Sequence, residues 1–495
     1  MPNEVADVVV LGAGNAAFCA ALAAQESGAK VVMCEAAPED ESGGNSRFTA
    51  GSIRVVYNGV DDIKTLVPDL TPAEIDTTDF GTYTADQFFD DMARVTQNRA
   101  DPDLVELLVT KSFSSLNWMR EKGVRLIPIY GRQAFKIEGK FKFWGGLTVE
   151  SVGGGPGLIN MLTAAAKKRG IEIRYATRGI DLLFDGNRVG GIRVRQNGEV
   201  RELRAKSVVL ACGGFEANPE WRTRYLGPGW DMAKVRGSRY NTGDGIRMAI
   251  EIGAAPRGNW SGCHAVQWEM NAPEFGDLAV GDQFQKHSYP SCILVNATGR
   301  RFVDEGADFR NYTYAKYGRV VLEQPGQFAW QVFDQKTKHL QRDEYRIRQI
   351  TKVTADTIEE FAKKLEGVNA AEFLKTIKEY NAAVNTDVPF NPNVKDGRGT
   401  TGLAVNKSNW ANTIDTPPFE GYAVTCGVTF TFGGLRINTD GEVLNTDYHP
   451  IRGLYAAGEL VGGLFYFNYP GGSGLMSGTV FGKIAGTSAA RSGKN

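Results

Sequence analysis

The chain has 495 residues, a length that at roughly 150 residues per domain predicts more than one domain. Its 56 basic and 57 acidic residues leave a net charge of −1, which excludes a broad nucleic-acid-binding surface and a polybasic membrane anchor. Glycine is in excess, with 59 residues against only 19 prolines, and this composition predicts many tight turns and close approaches of the backbone to a ligand.

Cysteine, histidine and the first apolar run indicate the environment of the protein. The six cysteines are scattered without a CxxC pair, and no two of the four histidines stand at i and i+4, so we predict reduced core thiols and no metal site. The apolar run at 8–24 follows Glu4 and Asp7 and is broken by Gly12 and Gly14, which argues against a signal peptide and a membrane span. The sequence therefore predicts a cytoplasmic protein that is not an integral membrane protein.

The first 35 residues have the pattern of a strand, a glycine turn, a helix and a second strand. Apolar runs at 8–11 and 31–34 predict buried parallel strands, and 18–26 predicts an alanine-rich helix. Between the first strand and the helix stands GAGNAA, the looser GxGxxA form of the dinucleotide fingerprint. In that motif Gly12 makes the turn, and Gly14 lets a pyrophosphate approach the backbone at the helix N-terminus.

Two further positions complete this fingerprint. Ala17 is small enough for the helix and the strand to pack closely, and Glu35, just after the second strand, is placed to accept hydrogen bonds from ribose hydroxyls. The sequence therefore predicts a βαβ dinucleotide-binding unit at the N-terminus.

Later segments continue the α/β pattern. We predict helices at 86–122, 158–168, 370–383 and 476–490, strands at 171–175, 180–184, 189–195, 200–203, 208–211 and 454–457, and a surface loop or hinge at 387–402. Because the strand–glycine–helix pattern returns near the C-terminus, we expect one Rossmann-like nucleotide-binding domain formed by 1–260 and 416–495. A capping domain of α+β type is expected between them, at 261–415.

Four glycine-rich stretches stand in a distinctive order. They are GAGNAA at 12–17, GGNSRFTAG at 43–51, ACGGF at 211–215 and GLYAAGELVGG at 453–463. In this order the chain resembles the flavoprotein family of succinate dehydrogenase, fumarate reductase and ketosteroid dehydrogenase. The resemblance covers nearly the whole chain and implies an α/β fold, α+β overall, in which a Rossmann-like FAD-binding domain is interrupted by the inserted capping domain.

Within that family the chain is most similar to the tricarballylate dehydrogenases. The narrower likeness lies in QKHSYP at 285–290, GRRFVDEGADFRNYTYAKYGR at 299–319, PGQFAWQVFD at 325–334, TDVPFNPNVKDGRG at 386–399 and GLFYFNYPGGSGL at 463–475. It implies an FAD-dependent dehydrogenase that desaturates a C–C bond beside a carboxylate, with tricarballylate as substrate and cis-aconitate as product. In such a reaction flavin N5 takes a hydride and the protein supplies a base.

The resemblance also implies the FAD contacts residue by residue. They are Gly12, Gly14, Asn15 and Ala16 at the pyrophosphate; Glu35 and Ala36 at the adenosine ribose; Gly44, Asn45, Ser46, Thr49, Ala50 and Gly51 near the flavin; Ala211, Gly213 and Gly214 on the adenine side, with Asp244 nearby; and Gly458, Glu459, Ser473, Gly474 and Leu475 at the ribityl chain and the pyrimidine end. Some relatives attach FAD covalently through a histidine after the GG motif. Arg47 and Phe48 stand in that region here, so we expect non-covalent FAD.

Arg310 is the candidate proton-transfer group. Fumarate-type relatives use an arginine just after the RF-(N/D)E stretch, and Arg310 is the nearest match, about one residue later. The alternative is a structural ion pair of Arg310 with Asp304, Glu305 or Asp308. If Arg310 has only that structural role, the proton role moves to His287 or Tyr289, the nearest titratable groups of the same region.

The substrate end departs from the fumarate reductases. The stretch before Gly433 reads TFTF without a histidine, and Tyr469 stands where those enzymes carry an arginine, which makes succinate or fumarate a poor match as substrate. Tyr469 and Gly472 instead resemble the tyrosine and glycine that hold a ketone oxygen in ketosteroid dehydrogenases. We also expect Thr49 and Tyr289 to contact substrate. His264 either binds a substrate carboxylate or makes only a core hydrogen bond.

Three functions compete at this point. Arg310, His287 and His264 as cationic groups favour a small polycarboxylate substrate, whereas Tyr469 favours a flavin-dependent desaturase or reductase of a ketone. The third candidate is a fumarate-reductase-like electron-transfer flavoprotein subunit that passes electrons to an iron–sulfur or membrane-associated acceptor.

Overall fold

The computed structural model describes residues 5–143 and 146–492. In chain order the strands are β1 (Val5–Leu11), β2 (Val31–Cys34), β3 (Ser52–Ile53), β4 (Thr78–Asp79), β5 (Leu126–Pro128), β6 (Ala134–Ile137), β7 (Lys140–Phe143), β8 (Val149–Ser151), β9 (Glu172–Arg174), β10 (Thr177–Phe184), β11 (Val189–Gln196), β12 (Glu199–Leu210), β13 (Lys234–Val235), β14 (Pro256–Glu269), β15 (Ile293–Val295), β16 (Ala329–Phe333), β17 (Lys352–Ala355), β18 (Phe419–Leu435), β19 (Glu442–Leu444) and β20 (Pro450–Ala456).

The helices lie between or after these strands along the chain, singly or in pairs. They are α1 (Asn15–Glu26), α2 (Val60–Leu66), α3 (Pro72–Asp76), α4 (Ala85–Thr96), α5 (Pro102–Glu121), α6 (Tyr130–Gln133), α7 (Gly154–Lys168), α8 (Pro219–Trp221), α9 (Asp244–Glu251), α10 (Tyr314–Leu322), α11 (Ile358–Lys364), α12 (Ala370–Ala383) and α13 (Ser473–Ser492). Among the described residues, no helix is both long enough and apolar enough to cross a membrane.

The first sheet is parallel at its centre. Its central strands run β20-β12-β1-β2-β9, all parallel, while β10 and β11 add an antiparallel meander to the first half of β12, and β19 pairs with β20. The predicted βαβ unit is confirmed, because β1, α1 and β2 follow one another and β1 pairs in parallel with β2. Continuous apolar runs form the central strands because such strands are buried on both faces.

Helix α13 returns the end of the chain to this sheet by packing against α1. The contact is close because glycine stands where a side chain has no room: a β-carbon on Gly482 would lie 2.5 Å from the Ala16 carbonyl oxygen, and one on Gly486 would lie 2.0 Å from that of Ala20. The last strand and helix therefore belong to the same layer structure as the first. The domain boundaries at 260 and 415 stay a prediction.

The second large sheet is built on one long strand. β18 pairs with β13, β14, β16 and β17, and β15 extends the sheet from β16. Helix α10 packs on β14 and β18, and a separate cluster of buried apolar residues lies where α11 and α12 meet this sheet. This second layer supplies most of the residues that face the FAD-binding sheet across the cavity described below.

The structure corrects two element predictions. The segment predicted as one helix at 86–122 is two helices, α4 and α5, because Gln97 and Asn98 adopt left-handed backbone conformations and Asp101 caps a new helix that has Pro102 in its first turn. The strands predicted at 200–203 and 208–211 are one strand, β12, which changes its partner from β11 to β1 midway. The helix at 370–383 is confirmed.

Candidate active site

A cavity opens where β1, β2, β12 and β20 end. Ligands of open α/β sheets bind in this position, beyond the carboxyl ends of the strands. Its lining runs from the fingerprint turn at Gly12 to Arg310, so one cavity joins the predicted dinucleotide site to the predicted substrate end.

The structure brings most of the predicted site residues to this cavity. Those that line it are Gly12, Gly14, Asn15, Ala16, Glu35, Ala36, Gly44, Asn45, Ser46, Thr49, Ala50, Ala211, Gly213, Asp244, His264, Arg310, Gly458, Glu459, Tyr469, Gly472, Gly474 and Leu475. Gly51, Gly214, Ser473, His287 and Tyr289 are not in the lining. Of these, Gly51, Gly214 and Ser473 directly adjoin lining residues, whereas His287 and Tyr289 lie in the layer behind the wall.

The fingerprint turn fits a pyrophosphate. Gly12 has a φ of 109°, and a β-carbon there would lie 2.3 Å from the Ala211 carbonyl oxygen, so only glycine fits. Helix α1 begins directly after the turn, has no acidic residue in its first turn and has no side-chain cap at its N-terminus. The Asn15 N–H donates to Ser46 Oγ at 3.0 Å, and the positive end of the helix dipole favours an anion at this point.

Two acidic residues, Glu35 and Asp244, line the end of the cavity where the adenosine half of FAD is expected. Glu35 is buried and accepts a hydrogen bond of 2.8 Å from the Ala37 backbone N–H. Asp244 opens α9 and accepts a hydrogen bond of 2.8 Å from Arg178 Nε. Both residues line the cavity, and the contacts of Glu35 to the ribose and of Asp244 near the cofactor stay predictions.

A pair of buried carboxyl groups lies where the resemblance places the flavin and ribityl chain. Glu216 and Glu459 are close neighbours, and burial, followed for Glu216 by the charge of Glu459, raises the pKa of both groups. Glu216 also accepts hydrogen bonds of 2.6 Å from the side-chain amides of Asn45 and Asn241. The sequence analysis did not identify Glu216, which follows the ACGGF stretch directly and fixes the orientation of Asn45.

Aromatic rings and two hydroxyl groups form one wall of the substrate end. Tyr314 and Tyr469 are hydrogen bonded through their hydroxyl groups, and the His264 ring lies 4.9 Å from the ring of Tyr314 and 4.8 Å from that of Tyr469, between centroids. Burial raises the pKa of both tyrosines, so both hydroxyls stay protonated. Since one hydroxyl donates to the other, one proton is left to donate to a ligand oxygen.

Arg310 faces the cavity without an acidic partner. In the described part of the chain, each of the three expected carboxylates has other partners: Asp304 binds Ser408, Glu305 binds Arg301, and Asp308 binds Arg94. The Arg310 guanidinium instead lies 5.4 Å from the centre of the Tyr314 ring.

Burial, and then the neighbouring charge of Arg342, lower the pKa of Arg310 to about 9. The geometry thus favours a role toward a ligand over the structural ion pair.

Three further arginines line the same end of the cavity. Arg236 donates to Asp282 Oδ1 from Nε at 2.8 Å and from Nη2 at 2.5 Å, and Arg132 donates to Asp282 Oδ2 at 3.1 Å. Gln285 adds a hydrogen bond of 2.7 Å to Asp282 Oδ2, so this buried carboxylate holds two guanidinium groups in place. Arg342 is the third, and it has no such bidentate partner.

The two histidines contribute hydrogen-bonding groups and no positive charge. Both rings are buried, and neither ring nitrogen of His264 or His287 has a hydrogen-bond partner among the described residues. Burial, followed by nearby arginines, lowers the pKa of both well below the ordinary histidine value. The positive charge that the sequence analysis assigned partly to these histidines is therefore carried by the arginines.

Arg132, Arg236, Asp282 and Arg342 were not predicted from the sequence. Each is isolated in the sequence and reaches the cavity from a loop or a short helix, so no motif marks it. Tyr314 had a weak signal, because it stands four residues after Arg310 at the start of α10. These residues come together only because the second sheet faces the first in the folded protein.

The comparisons with known proteins agree with this geometry. A family model described as "FAD binding domain" matches residues 7–475, so the chain belongs to this family of FAD-binding proteins. It is an FAD-dependent oxidoreductase of the fumarate reductase and ketosteroid dehydrogenase group.

Individual relatives match nearly the whole chain. A probable fumarate reductase of Shewanella frigidimarina is 30% identical over 506 residues, covering 99% of this chain and 76% of its own. A 3-oxosteroid 1-dehydrogenase of Mycolicibacterium smegmatis is 28% identical, covering 96% and 95%. The open conformation of a flavocytochrome c3 fumarate reductase superposes with a TM-score of 0.74 at 29% identity, covering 100% of this chain and 79% of the other.

The Gly12→Ala variant tests the fit of the FAD site. We expect it to purify with little FAD, because the new β-carbon would collide with the Ala211 carbonyl beside the pyrophosphate. The flavin absorbance per mole of protein measures the loss. Gly186→Ala is the matched control: Gly186 has a similar φ of 94° but open space around it, so that variant should keep its FAD. Full FAD occupancy of Gly12→Ala would contradict the assignment.

Proposed function

We propose that this protein desaturates a C–C bond beside a carboxylate of a small polycarboxylate, most specifically tricarballylate to cis-aconitate. The observation that carries the proposal is the set of four arginines at the substrate end of the cavity: Arg132, Arg236, Arg310 and Arg342. Asp282 offsets part of their charge. Burying several guanidinium groups is costly unless anions accompany them, and a polycarboxylate supplies those anions.

Each group has a distinct task in this proposal. When bound, FAD would supply the acceptor for the hydride, which leaves the carbon next to the one that loses its proton. Arg310 takes the proton, because it faces the cavity without an acidic partner and its pKa is lowered to about 9. Tyr469, hydrogen bonded to Tyr314, donates a hydrogen bond to a substrate oxygen, and His264 offers an unpartnered ring nitrogen beside it.

The remaining predicted contacts follow from their places in the wall. Thr49 and Gly472 line the cavity and serve as substrate contacts. His287 packs behind Tyr314, with 5.0 Å between ring centroids, and Tyr289 hydrogen bonds to Thr313 at 2.5 Å. We propose that both residues hold the segment of Arg310 and Tyr314 in position. His287 is the alternative group for accepting the proton.

The electrons must leave the reduced flavin. We propose that an iron–sulfur or membrane-associated protein takes them, and one structural relative is by its name a flavocytochrome. The cytoplasmic location stays a prediction of the sequence.

A ketone substrate is the second candidate. The hydroxyl pair of Tyr314 and Tyr469, next to Gly472 and the ring of Phe430, would suit a carbonyl oxygen on an apolar skeleton. One relative is by its name a 3-oxosteroid 1-dehydrogenase. The arginines favour the polycarboxylate, because an apolar ligand would leave the buried guanidinium groups of Arg310 and Arg342 without a hydrogen-bonded carboxylate among the described residues.

Turnover of the FAD-loaded protein with a soluble dye as electron acceptor, and with no partner protein, tests the proposed reaction. We expect tricarballylate to reduce the dye, succinate to do so with a kcat/KM at least about tenfold lower, and an apolar 3-ketosteroid to give no turnover. Turnover of the steroid in preference to tricarballylate would establish the ketone function. Flavin reduction by tricarballylate without dye turnover would show that a partner protein is required.

We infer that FAD is bound without a covalent link, since Arg47 and Phe48 occupy the region where some relatives attach it. After acid precipitation of the purified protein, the yellow colour should remain in the supernatant. Colour in the pellet would show a covalent link.

The proton role of Arg310 predicts a pH dependence. A base must be neutral to accept a proton, and a pKa of about 9 means that the neutral fraction rises as the pH approaches 9. The kcat for tricarballylate should therefore rise up to about tenfold per pH unit above pH 7 and level off beyond pH 9. If His287 were the base, the profile would be flat over this range, because its lowered pKa leaves it neutral already.

Variants separate this role from a structural one. Arg310→Ala should lose most turnover at every pH while keeping FAD. Arg300→Ala is the control, since Arg300 is exposed and pairs with Glu372 far from the cavity wall. A lower melting temperature with nearly full turnover for Arg310→Ala would assign Arg310 to stability alone.

A further inference from the structure

Arg342 has hydrogen-bonding capacity that no described residue uses. Its side chain is 10% exposed and lines the cavity, yet its Nε and Nη1 groups are buried without a hydrogen-bond partner. Its backbone N–H donates to Ser288 Oγ at 3.1 Å, which ties the segment to the cavity wall. A buried N–H that makes no hydrogen bond is costly, and more so on a charged group.

Other buried arginines of this protein show what a structural role looks like. Arg222 donates to the backbone carbonyls of Glu216, Trp230, Asp231 and Ala233, and it does not line the cavity. Within the cavity wall, Arg132 and Arg236 donate to Asp282. Arg342 has neither kind of partner, so its position indicates a ligand.

Glu344 is the competing explanation. Its Oε1 lies 3.4 Å from Arg342 Nε, close enough for charge attraction, but neither atom makes a hydrogen bond there. Burial acts to raise the pKa of Glu344, and Arg342 with Arg132 outweighs it and holds that pKa below its usual value. Glu344 thus keeps a counter-charge beside Arg342 but forms no hydrogen bond with its Nε.

We propose that Arg342 is a carboxylate subsite, distinct from the group that holds the carboxylate beside the reacting bond, and that it selects substrates with an additional carboxylate. This inference rests on the proposed function. The planar guanidinium fork matches a carboxylate with two parallel hydrogen bonds, which lysine or histidine cannot reproduce. Arg342 lines the same cavity as Arg310 and Arg132, so a substrate bound there can meet more than one guanidinium group. The subsite therefore discriminates a tricarboxylate from a dicarboxylate.

The test compares two variants with two substrates. Tricarballylate carries three carboxylates, and methylsuccinate is the same skeleton with one terminal carboxylate replaced by hydrogen. Arg342→Gln should lower kcat/KM for tricarballylate by about 10- to 100-fold and leave that for methylsuccinate within about twofold. Arg342→Lys should recover only part of the loss, because lysine lacks the fork. Arg348→Gln, an exposed arginine six residues further on, is the matched control and should behave as wild type.

Binding gives a readout that does not depend on turnover. cis-Aconitate added to the oxidised protein should perturb the flavin absorbance with a Kd raised by a similar factor in Arg342→Gln, while the FAD content and melting temperature stay near wild type. Equal losses on both substrates, or no loss on either, would overturn the subsite while the proposed function stands. A wild-type protein that turns over neither carboxylate would overturn the proposed function and the subsite with it. If Arg342→Gln does not fold, Arg342→Lys decides on the same two substrates.

Discussion

The ion pairs of Asp282 with Arg132 and Arg236 are the interaction on which the substrate end depends. Bringing several guanidinium groups into the buried wall of a cavity is unfavourable, because each loses part of its hydration. Asp282 accepts hydrogen bonds from both arginines and from Gln285, so both of its carboxylate oxygens have partners. These two arginines are therefore fixed in position before any substrate arrives, and Arg310 and Arg342 remain for the substrate.

The FAD end depends on a different constraint, which is the close approach of backbone to backbone. Gly12 contacts the segment after β12, and Gly482 and Gly486 let α13 lie directly on α1. The same helix α13 begins just after Tyr469 and Gly472, so the contacts that seat the dinucleotide also fix a wall of the substrate end. Arg54 strengthens this link, because its buried Nε donates to the Gly471 carbonyl at 2.8 Å.

Local sequence was enough to predict the FAD end. The strand, turn and helix of the fingerprint are adjacent in the chain, and glycine positions report directly on backbone geometry, so Gly12, Gly14 and Glu35 could be assigned from their spacing. The substrate end could not be predicted in the same way. Arg132, Arg236 and Arg342 come from three distant segments, and a lone arginine in a sequence does not show whether it will be buried or which carboxylate it will meet.

Burial also determines the charge of His264 and His287, which the sequence alone does not show. His264 and His287 were sensible candidates for binding an anion, but their enclosure among aromatic rings makes the neutral form the stable one. The arginines keep their charge far more readily than histidine does, which is why they and not the histidines define the electrostatics of the cavity.

A crystal structure of the oxidised FAD-loaded protein with cis-aconitate tests the central claim most directly, because the product stays bound without further reaction. We predict one carboxylate on the guanidinium of Arg342, the Arg310 guanidinium beside the carbon that has lost its proton, and a product oxygen at the hydroxyl of Tyr469. Product that binds away from the arginines, or a cavity that admits only a ketone at Tyr469, would contradict it.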